Sequence, residues 1–345
     1  MRLFSCPNCN NRLYFENSIC LSCGSGVRYE PVSAQFVLEG SPGVFLCANA
    51  NDAACNWATV DGQKFCLACS LNQTIPDLSI QGNIDRWIRV EWAKRQLIYA
   101  LLALGLEVRP KAFQGEEDGI AFDFLADTAG AGSGQERVLT GHDNGVITLN
   151  VAEAYSPERE RMRLEMGEPY RTLIGHFRHE IGHYYWDRLV RDDPAWLAEF
   201  RAEFGDETED YERALQRHYA NGAPGDWQTR HITPYAASHP WEDWAETWAH
   251  YLHINDTLEM ADAYRIPVDR IDGTKNDLSP GYGSSPSGVG EVDHMLERWL
   301  RLSEASNAIN RCMGLPDLYP FTISEAVARK FGFVHRLLEA KRNRG

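Results

Sequence analysis

Residues 177–187 read Phe-Arg-His-Glu-Ile-Gly-His-Tyr-Tyr-Trp-Asp and contain the pattern H-E-x-x-H. His179 and His183 are four residues apart, so on a helix both imidazoles project from one face, one turn apart. Imidazoles in that arrangement can bind one tetrahedral zinc ion at about 2.0–2.1 Å. Glu180 follows the first histidine and can take a proton from a zinc-bound water without binding the metal itself. The stretch therefore predicts a helix with a catalytic zinc site and Glu180 as general base.

The residues around this pattern favour a buried helix, because apolar side chains recur on several sides of the polar face. Two simpler explanations compete with the zinc site: a chance match of the pattern, or histidines that serve only as packed core residues. Both explanations become less favourable if the chain also supplies a third metal ligand. The apolar positions are Leu173, Ile174, Phe177, Ile181, Tyr184, Tyr185, Leu189 and Val190.

A second predicted helix offers that ligand. Pro240 suits a helix start, and an apolar stripe follows it at helical spacing. Glu242 and Glu246 share one face, so we expect Glu242 to bind zinc and Glu246 to hold a ligating histidine through its outer N–H. Asp187, one turn beyond His183, suits the same orienting role. The stripe consists of Trp241, Trp244, Ala245, Trp248 and Leu252.

Other residues near this helix could replace Glu242 as the third ligand. The alternatives are Asp243, Glu246, His239 and His250. Two solvated carboxylates on a helix face would be the non-functional explanation. The tryptophans around them make that explanation less favourable, since such a helix is packed rather than solvated.

Eight of the nine cysteines form two sets with the spacing of zinc ligands. In the first set, two C-x-x-C pairs each aim two thiolates at one metal, and the second set joins one C-x-x-C pair to two more widely spaced cysteines. Segments this short cannot fold on their own core, so each zinc ion would supply folding energy. We therefore expect two structural zinc ions beside one catalytic zinc. The sets are Cys6, Cys9, Cys20 and Cys23, then Cys47, Cys55, Cys66 and Cys69.

The formal net charge of −15 argues against nucleic acid and against anionic membrane surfaces as partners. Residues 1–70 carry four basic and five acidic side chains, so this segment has no basic face either. No apolar run reaches the length of a membrane span, and the start of the chain leaves no room for a signal peptide. We expect a cytoplasmic protein whose paired cysteines bind metal rather than form disulfides.

The order of these patterns predicts three segments: tandem four-cysteine zinc ribbons over residues 1–70, a linker over 71–82 that contains Pro76, and one larger domain over 83–345. The ribbons could dock on the larger domain or bind a protein partner. Phe45, Trp57 and Phe65 are candidates for that contact, unless they simply form the small core of the ribbons.

Within the larger segment, a long helix is predicted from Asn83 to about Gly105. Strands are predicted at 120–125, 137–139 and 145–150, and helices at 291–309 and 323–341. We expect Val146–Asn150 to accept an extended substrate backbone by strand addition. Residues 272–290 are rich in Gly, Ser, Pro and Asp and predict a mobile loop.

H-E-x-x-H followed by E-x-x-A-E-x-x-A resembles the gluzincin branch of zinc metallopeptidases, and the spacing is closest to the compact gluzincins similar to anthrax lethal factor. In those proteins a tyrosine seven residues before the ligand glutamate stabilises the oxyanion, a role that the resemblance assigns to Tyr235. Nearly the whole chain also resembles a bacterial family of zinc-binding metallopeptidases with an N-terminal zinc-ribbon region. That resemblance runs through the cysteine pairs, G-V-I-T-L-N, H-E-I-G-H-Y-Y-W-D and W-E-D-W-A-E-T-W-A-H-Y-L.

The expected fold class is therefore α+β, with N-terminal four-cysteine zinc ribbons and a mainly helical, zincin-like metallopeptidase domain with a small mixed sheet. The function that the residues favour is hydrolysis of a peptide or protein substrate by a zinc-activated water with Glu180 as base. The alternative is a catalytically silent or tightly gated zinc-binding adaptor that uses the ribbons for protein–protein interaction.

Overall fold

The computed structural model describes residues 2–59, 62–111, 118–126, 138, 140–166, 171–267 and 290–343, with only the backbone given for 164–166. The chain divides into two compact units, residues 1–180 and 181–345. The boundary falls inside one continuous helix, α4 (Leu173–Trp186).

Unit 1 begins with three short antiparallel hairpins, each of two strands. Positive φ angles at Asn10 (60°) and Gly24 (74°) let the chain turn tightly just after Cys9 and Cys23. The hairpins pair β1 (Phe4–Ser5) with β2 (Arg12–Leu13), β3 (Val27–Glu30) with β4 (Gln35–Leu38), and β5 (Phe45–Leu46) with β6 (Ala58–Thr59), and helix α1 (Leu67–Ser70) follows.

An aromatic core joins these hairpins to the long helix α2 (Asn83–Ala103). Tyr29 lies at its centre, and Tyr99 of α2 contributes a ring 5.1 Å from that of Phe15 and 6.0 Å from that of Tyr29. Trp57 is fully buried in this core, whereas Phe45 is 48% exposed. Phe4, Phe15 and Tyr29 thus pack against Tyr99 of α2, which is how a segment with so little core of its own gains packing energy.

A four-stranded mixed sheet follows, in the order β7-β8-β10-β9. β10 is parallel to β8 and antiparallel to β9, so both of its edges are paired over Val146–Thr148. Over Val146–Thr148 the expectation that this strand accepts a substrate backbone is therefore wrong, because both edges there already bond to neighbouring strands. The strands are β7 (Asn72–Thr74), β8 (Ala121–Leu125), β9 (Gly141–Asp143) and β10 (Val146–Asn150).

Strand β7 lies within the segment that the sequence predicts to be a linker. A buried polar group holds it to α2: the Lys94 ammonium donates hydrogen bonds to Asn72 Oδ1 and, at 2.9 Å, to Glu91 Oε1. Asn72 Nδ2 and Trp87 Nε1 donate to the same carboxylate oxygen at 2.6 and 3.2 Å. Part of the segment 71–82 therefore belongs to the sheet. The buried charges of Lys94 and Glu91 require polar partners, and Asn72 of β7 is one of them.

Unit 1 also contains helix α3 (Ser156–Met166) and the first half of α4. Phe177 of α4 packs against the sheet, with its ring 5.5 Å from that of Phe122 and 6.1 Å from that of Phe124. This apolar contact fixes which side of α4 is buried in unit 1.

Unit 2 is helical. A π-helical turn (Asp187–Arg191) extends α4, and five α-helices follow it in the described part of the chain. Its core is aromatic, with Trp244 in contact with Trp248, Phe200, Phe204 and Phe333 at ring separations of 5.3–6.3 Å. The helices are α5 (Pro194–Phe204), α6 (Tyr211–Asn221), α7 (Pro240–Ala263), α8 (Gly290–Cys312) and α9 (Glu325–Arg342).

The α+β class with zinc-ribbon-like cysteine clusters, a helical part and a small mixed sheet is confirmed. Most of the predicted strand at 137–139 and nearly all of the predicted loop at 272–290 lie outside the described residues. Among the helices described, none has the length and apolar character needed to cross a membrane.

Candidate metal centre

The pattern H-E-x-x-H lies on α4, so His179 and His183 occupy successive turns of one helix. His183 is buried and His179 is half-buried. The ring of Trp241 lies 4.1 Å from that of His183 and covers it from the side of α7. The two imidazoles therefore share a helix face, as the spacing predicts.

Gly182 lets α7 approach the second half of α4 closely. A Cβ atom at this position would lie 3.3 Å from Ala245 Cα and 3.2 Å from Cδ1 of Trp248, tighter than ordinary contacts. Trp244 Nε1 also donates a hydrogen bond to the Gly182 carbonyl at 2.8 Å. Because Gly182 has no side chain, Ala245 and Trp248 of α7 can approach the backbone of α4 directly.

Glu242 lies in the first turn of α7 and is almost fully buried. Its Oε2 atom is 3.7 Å from Nε2 of His183. Ligand atoms of His179, His183 and Glu242 all lie within 4.8 Å of one another. In a tetrahedron with bonds of about 2.0–2.1 Å, neighbouring ligand atoms are about 3.3 Å apart, so only a small contraction is needed. The donor set, two imidazoles and a carboxylate, is that of catalytic zinc sites that keep one position open.

Tyr211, the first residue of α6, is part of this centre although the sequence does not indicate it. Its hydroxyl donates a hydrogen bond to Glu242 Oε1 at 2.5 Å. Its ring lies 5.9 Å from that of Trp241 and 5.2 Å from that of His239. No local signal marks it, because it is 31 residues before Glu242 and begins a helix with many charged residues.

Three of the alternative third ligands are engaged elsewhere. Asp243 Oδ2 lies 2.5 Å from Lys330 Nζ and 3.2 Å from His231 Nδ1. His239 caps α7 by accepting a hydrogen bond from Trp241 N at 3.1 Å. The His250 Nδ1 atom is 2.7 Å from the Tyr319 hydroxyl. The structure therefore groups Glu242, and not these residues, with the two histidines.

Asp187 and Glu246 are the residues that the sequence predicts to orient the metal ligands. Asp187 lies 3.0 Å from Arg191 Nη1. Burial raises the pKa of Asp187 above its ordinary value, and the charges of Arg191 and His183 oppose that rise. Glu246 is half-buried on α7, one turn after Glu242. Their orienting roles stay predictions.

Glu180 and Tyr235 are the two residues with predicted catalytic roles. Glu180 is half-buried, and among the described residues its carboxylate has no hydrogen-bonding or ion-pair partner. Tyr235 lies in a 3₁₀ turn (Tyr235–Ala237) before α7, where its ring meets that of His218 edge-on at 6.0 Å. The catalytic roles of Glu180 and Tyr235 both stay predictions.

Each set of four cysteines converges on a point. Sulfur–sulfur distances are 3.6 Å for Cys9–Cys20 and 3.8 Å for Cys6–Cys23 in the first set. In the second set they are 3.6 Å for Cys55–Cys66 and 3.7 Å for Cys55–Cys69. A tetrahedral zinc ion with bonds of about 2.3 Å requires about 3.8 Å between sulfurs, so both sets fit that metal.

The two cysteine sets differ in exposure. All four cysteines of the second set are buried, whereas Cys9 and Cys23 of the first set are exposed. Hydrogen bonding with the side chain and backbone of Ser25 lowers the pKa of Cys23 to about 6, which favours the thiolate form that binds metal.

Comparisons with known proteins identify the family of the chain. A family model described as "Putative zinc-binding metallo-peptidase" matches residues 83–337, and a zinc-ribbon domain model matches residues 3–80. Uncharacterized proteins from Mycobacterium tuberculosis and Mycobacterium bovis are 42% identical over 342 residues, which cover 98% of this chain and 96% of each relative. No solved structure matches the chain. With a model match over most of its length, the chain belongs to this family of zinc-binding metallopeptidases and carries an N-terminal zinc-ribbon domain.

Proposed function

We propose that the chain is a zinc-dependent peptidase in which His179, His183 and Glu242 hold the metal and Glu180 is the general base. The observation that carries the proposal is the convergence of those three ligand atoms within 4.8 Å, with Glu180 next to the first ligand on α4. Family membership supports a peptide or protein substrate.

A zinc ion held there would polarise the scissile carbonyl and lower the pKa of a bound water to about 7. Glu180 takes the proton from the attacking water and delivers it to the leaving amine. Its carboxylate suits that role because, in the described part of the chain, no cation or hydrogen-bond donor engages it. Tyr235 is proposed to donate a hydrogen bond to the developing oxyanion, as the resemblance implies.

The proposal includes three zinc ions per chain: one catalytic, and two structural in the four-cysteine sets. It also includes a cytoplasmic location. The zinc ribbons would stabilise the segment that packs on α2, and they offer a surface for a protein partner.

The test compares Glu180→Gln, Glu242→Gln and wild-type protein for metal content and for cleavage of casein and a peptide library. Glu180→Gln should keep about three zinc ions and lose about 10²–10⁴-fold in turnover, because only the proton acceptor is removed. Glu242→Gln should lose about one zinc ion together with activity. Glu304→Gln, at an exposed position of α8, serves as the control and should change neither property.

Full activity in Glu180→Gln would exclude this mechanism. The adaptor alternative predicts normal zinc content without cleavage of any peptide, with or without a chelator. A gated peptidase would also leave casein intact, but it would yield a self-cleavage product that Glu180→Gln does not form.

A further inference from the structure

A groove of about 430 Å³ lies in unit 1, apart from the proposed ligands. Its apolar wall comes from Ile88 and Trp92 of α2 and from Leu173 and Ile174 at the start of α4. Arg89 and Arg159 lie on its polar side. The groove thus combines an apolar surface with cationic side chains.

The apolar part continues along α2 beyond the groove. Ile84, Ile88 and Trp92 recur at four-residue intervals and therefore form one stripe on the helix. Ile84 is 44% exposed and Trp92 is 39% exposed. A stripe of large apolar side chains at the surface is typical of a binding site rather than of an ordinary solvated helix face.

The two arginines form no ion pair in the described part of the chain. Arg89 Nη1 donates to the Ala154 carbonyl at 3.4 Å, and Arg159 Nη1 donates to the Glu153 carbonyl at 2.6 Å. Arg159 Nη2 also lies 3.4 Å from Ser156 Oγ. Both guanidinium groups therefore bond only to neutral oxygens in the described part of the chain.

The carboxylate nearest to Arg159 is already engaged. Glu153 Oε2 lies 2.6 Å from His176 Nδ1 and 3.3 Å from Arg171 Nη2, and Oε1 accepts a hydrogen bond from Thr140 at 2.6 Å. Burial lowers the pKa of Arg159, the charge of Glu153 opposes that change, and the like charges of Arg89 and Arg171 add to it. Several cationic side chains therefore share the one buried carboxylate of Glu153, and an added anion would bring a second negative charge to them.

We propose that this groove binds an acidic segment of a substrate protein, in which an apolar side chain lies next to a carboxylate. The apolar side chain would pack on Ile88 and Trp92, and the carboxylate would bond to Arg89 and Arg159. Glu16 and Arg95 also line the groove, but Arg95 is buried and lies 3.9 Å from Glu91, so Arg89 and Arg159 are the cations that the described lining offers, against one glutamate.

The position of the groove favours a substrate as the occupant. Leu173 is six residues before His179 on α4, which corresponds to about 9 Å along the helix axis. The two side chains also lie about a third of a turn apart around the helix, so a polypeptide held at Leu173 would reach His179 within about six extended residues, at about 3.3 Å per residue. This step rests on the proposed peptidase function.

The experiment uses the full, zinc-loaded chain carrying Glu180→Gln, so that no probe is cleaved. The probes are acetylated and amidated octapeptides with one Phe or Leu followed, at spacings of one to four residues, by two Asp. A matched set replaces both Asp with Asn. Binding is followed by calorimetry, and we expect the acidic set to bind at least about fivefold more tightly than the Asn set.

Two further variants in the same background test the groove itself. Arg89→Gln and Trp92→Ala should each weaken binding of the acidic set by about fivefold or more. Arg86→Gln is the control, because Arg86 is on the same helix, bonds to Asn83 Oδ1 at 3.2 Å and does not line the groove. Zinc content and circular dichroism must match the parent.

Equal affinities for the acidic and Asn sets, no acidic peptide binding below about 1 mM, or equal behaviour of Arg89→Gln and Arg86→Gln would overturn the proposal. Binding of single-stranded DNA in place of the peptides would also overturn it. A failure of the proposed peptidase function is measured separately. In that case the wild type would not cleave any peptide, whereas peptide binding by Glu180→Gln would not be affected.

Discussion

The Tyr211 hydroxyl donates a hydrogen bond to Glu242 Oε1 at 2.5 Å, while the other oxygen of that carboxylate, Oε2, lies 3.7 Å from His183 Nε2. The two oxygens of one buried carboxylate therefore have separate surroundings. One oxygen faces His183, and the other accepts a hydrogen bond from a phenol on a different helix. The hydrogen bond from Tyr211 therefore restricts the rotation of the Glu242 carboxylate.

Tyr211→Phe removes the hydrogen bond and keeps the ring. We expect the affinity of the His179–His183–Glu242 site for zinc to fall about 10-fold or more, as is usual when a partner of a metal ligand is lost. Competition with a chelator of known affinity measures this. Tyr219→Phe is the control, because Tyr219 lies on the same helix and is 64% exposed. Unchanged affinity in Tyr211→Phe would mean that the carboxylate is positioned by its other contacts.

Much of the candidate metal centre could be predicted because its residues are close in sequence within each element. His179 and His183 are one helical turn apart, and the C-x-x-C pairs are local turns, so spacing alone places their ligand atoms. Glu242 could be proposed only because its helix has a recognisable apolar stripe.

Tyr211 could not be predicted, because its contact with Glu242 depends on how α6 packs against α7 and no periodicity encodes that packing. The order of the sheet could not be predicted either. Val146–Asn150 has the apolar pattern of any buried strand, and only the pairing with both β8 and β9 shows that it is not an edge. Similarly, β7 is ordered by Lys94 and Glu91, which come about twenty residues later in the chain.

Lys330→Met should strongly destabilise unit 2. The Lys330 ammonium is buried and bonds to Asp243 Oδ2 at 2.5 Å and to the Arg230 carbonyl at 2.6 Å. Its removal leaves a buried carboxylate without its cation, which costs about 3–5 kcal/mol. Urea unfolding followed by tryptophan fluorescence, at constant free zinc, measures the loss.

The neighbouring Arg329→Gln is the matched control, since Arg329 is half-exposed and its ion pair with Glu203 is 3.5 Å long. That change should cost less than about 1 kcal/mol. The double variant Lys330→Met with Asp243→Asn should recover part of the loss, because no uncompensated charge remains. A cost below about 1 kcal/mol for Lys330→Met would show that the pair is not a stabilising contact.

Glu153 should make unit 1 sensitive to acid. Burial tends to raise the pKa of Glu153, but the charges of His176 and Arg171 and the hydrogen bond from Thr140 outweigh it and hold the pKa at about 2. The ordinary value is 4.5, so the folded state binds this proton less readily than the unfolded state. The resulting stabilisation, on the order of 3 kcal/mol, is complete above pH 4.5 and is lost as the pH falls toward 2.

Glu153→Gln tests this window, because the amide cannot titrate. The wild type should be more stable than the variant at pH 6, and the difference should shrink at pH 4 and again at pH 3. Both proteins lose zinc in acid, so the difference between them isolates the carboxylate. Glu304→Gln, at an exposed position of α8, is the control for the removal of a carboxylate. A difference that does not vary with pH for Glu153→Gln would contradict the assignment.

The two cysteine sets should release zinc at different rates, because a chelator must reach the sulfur atoms. Cys9 and Cys23 are exposed, whereas all four cysteines of the second set are buried and Cys69 Sγ lies 3.8 Å from Glu91 Oε2 in the core. In the Glu242→Gln background, which is expected to hold only the two structural ions, a chromogenic chelator should show two phases that differ by about tenfold or more. Cys23→Ser should remove the fast phase and leave the slow phase unchanged, while Cys69→Ser should do the reverse. A single phase, or a slow phase that Cys23→Ser changes, would show that the two sites open together rather than independently.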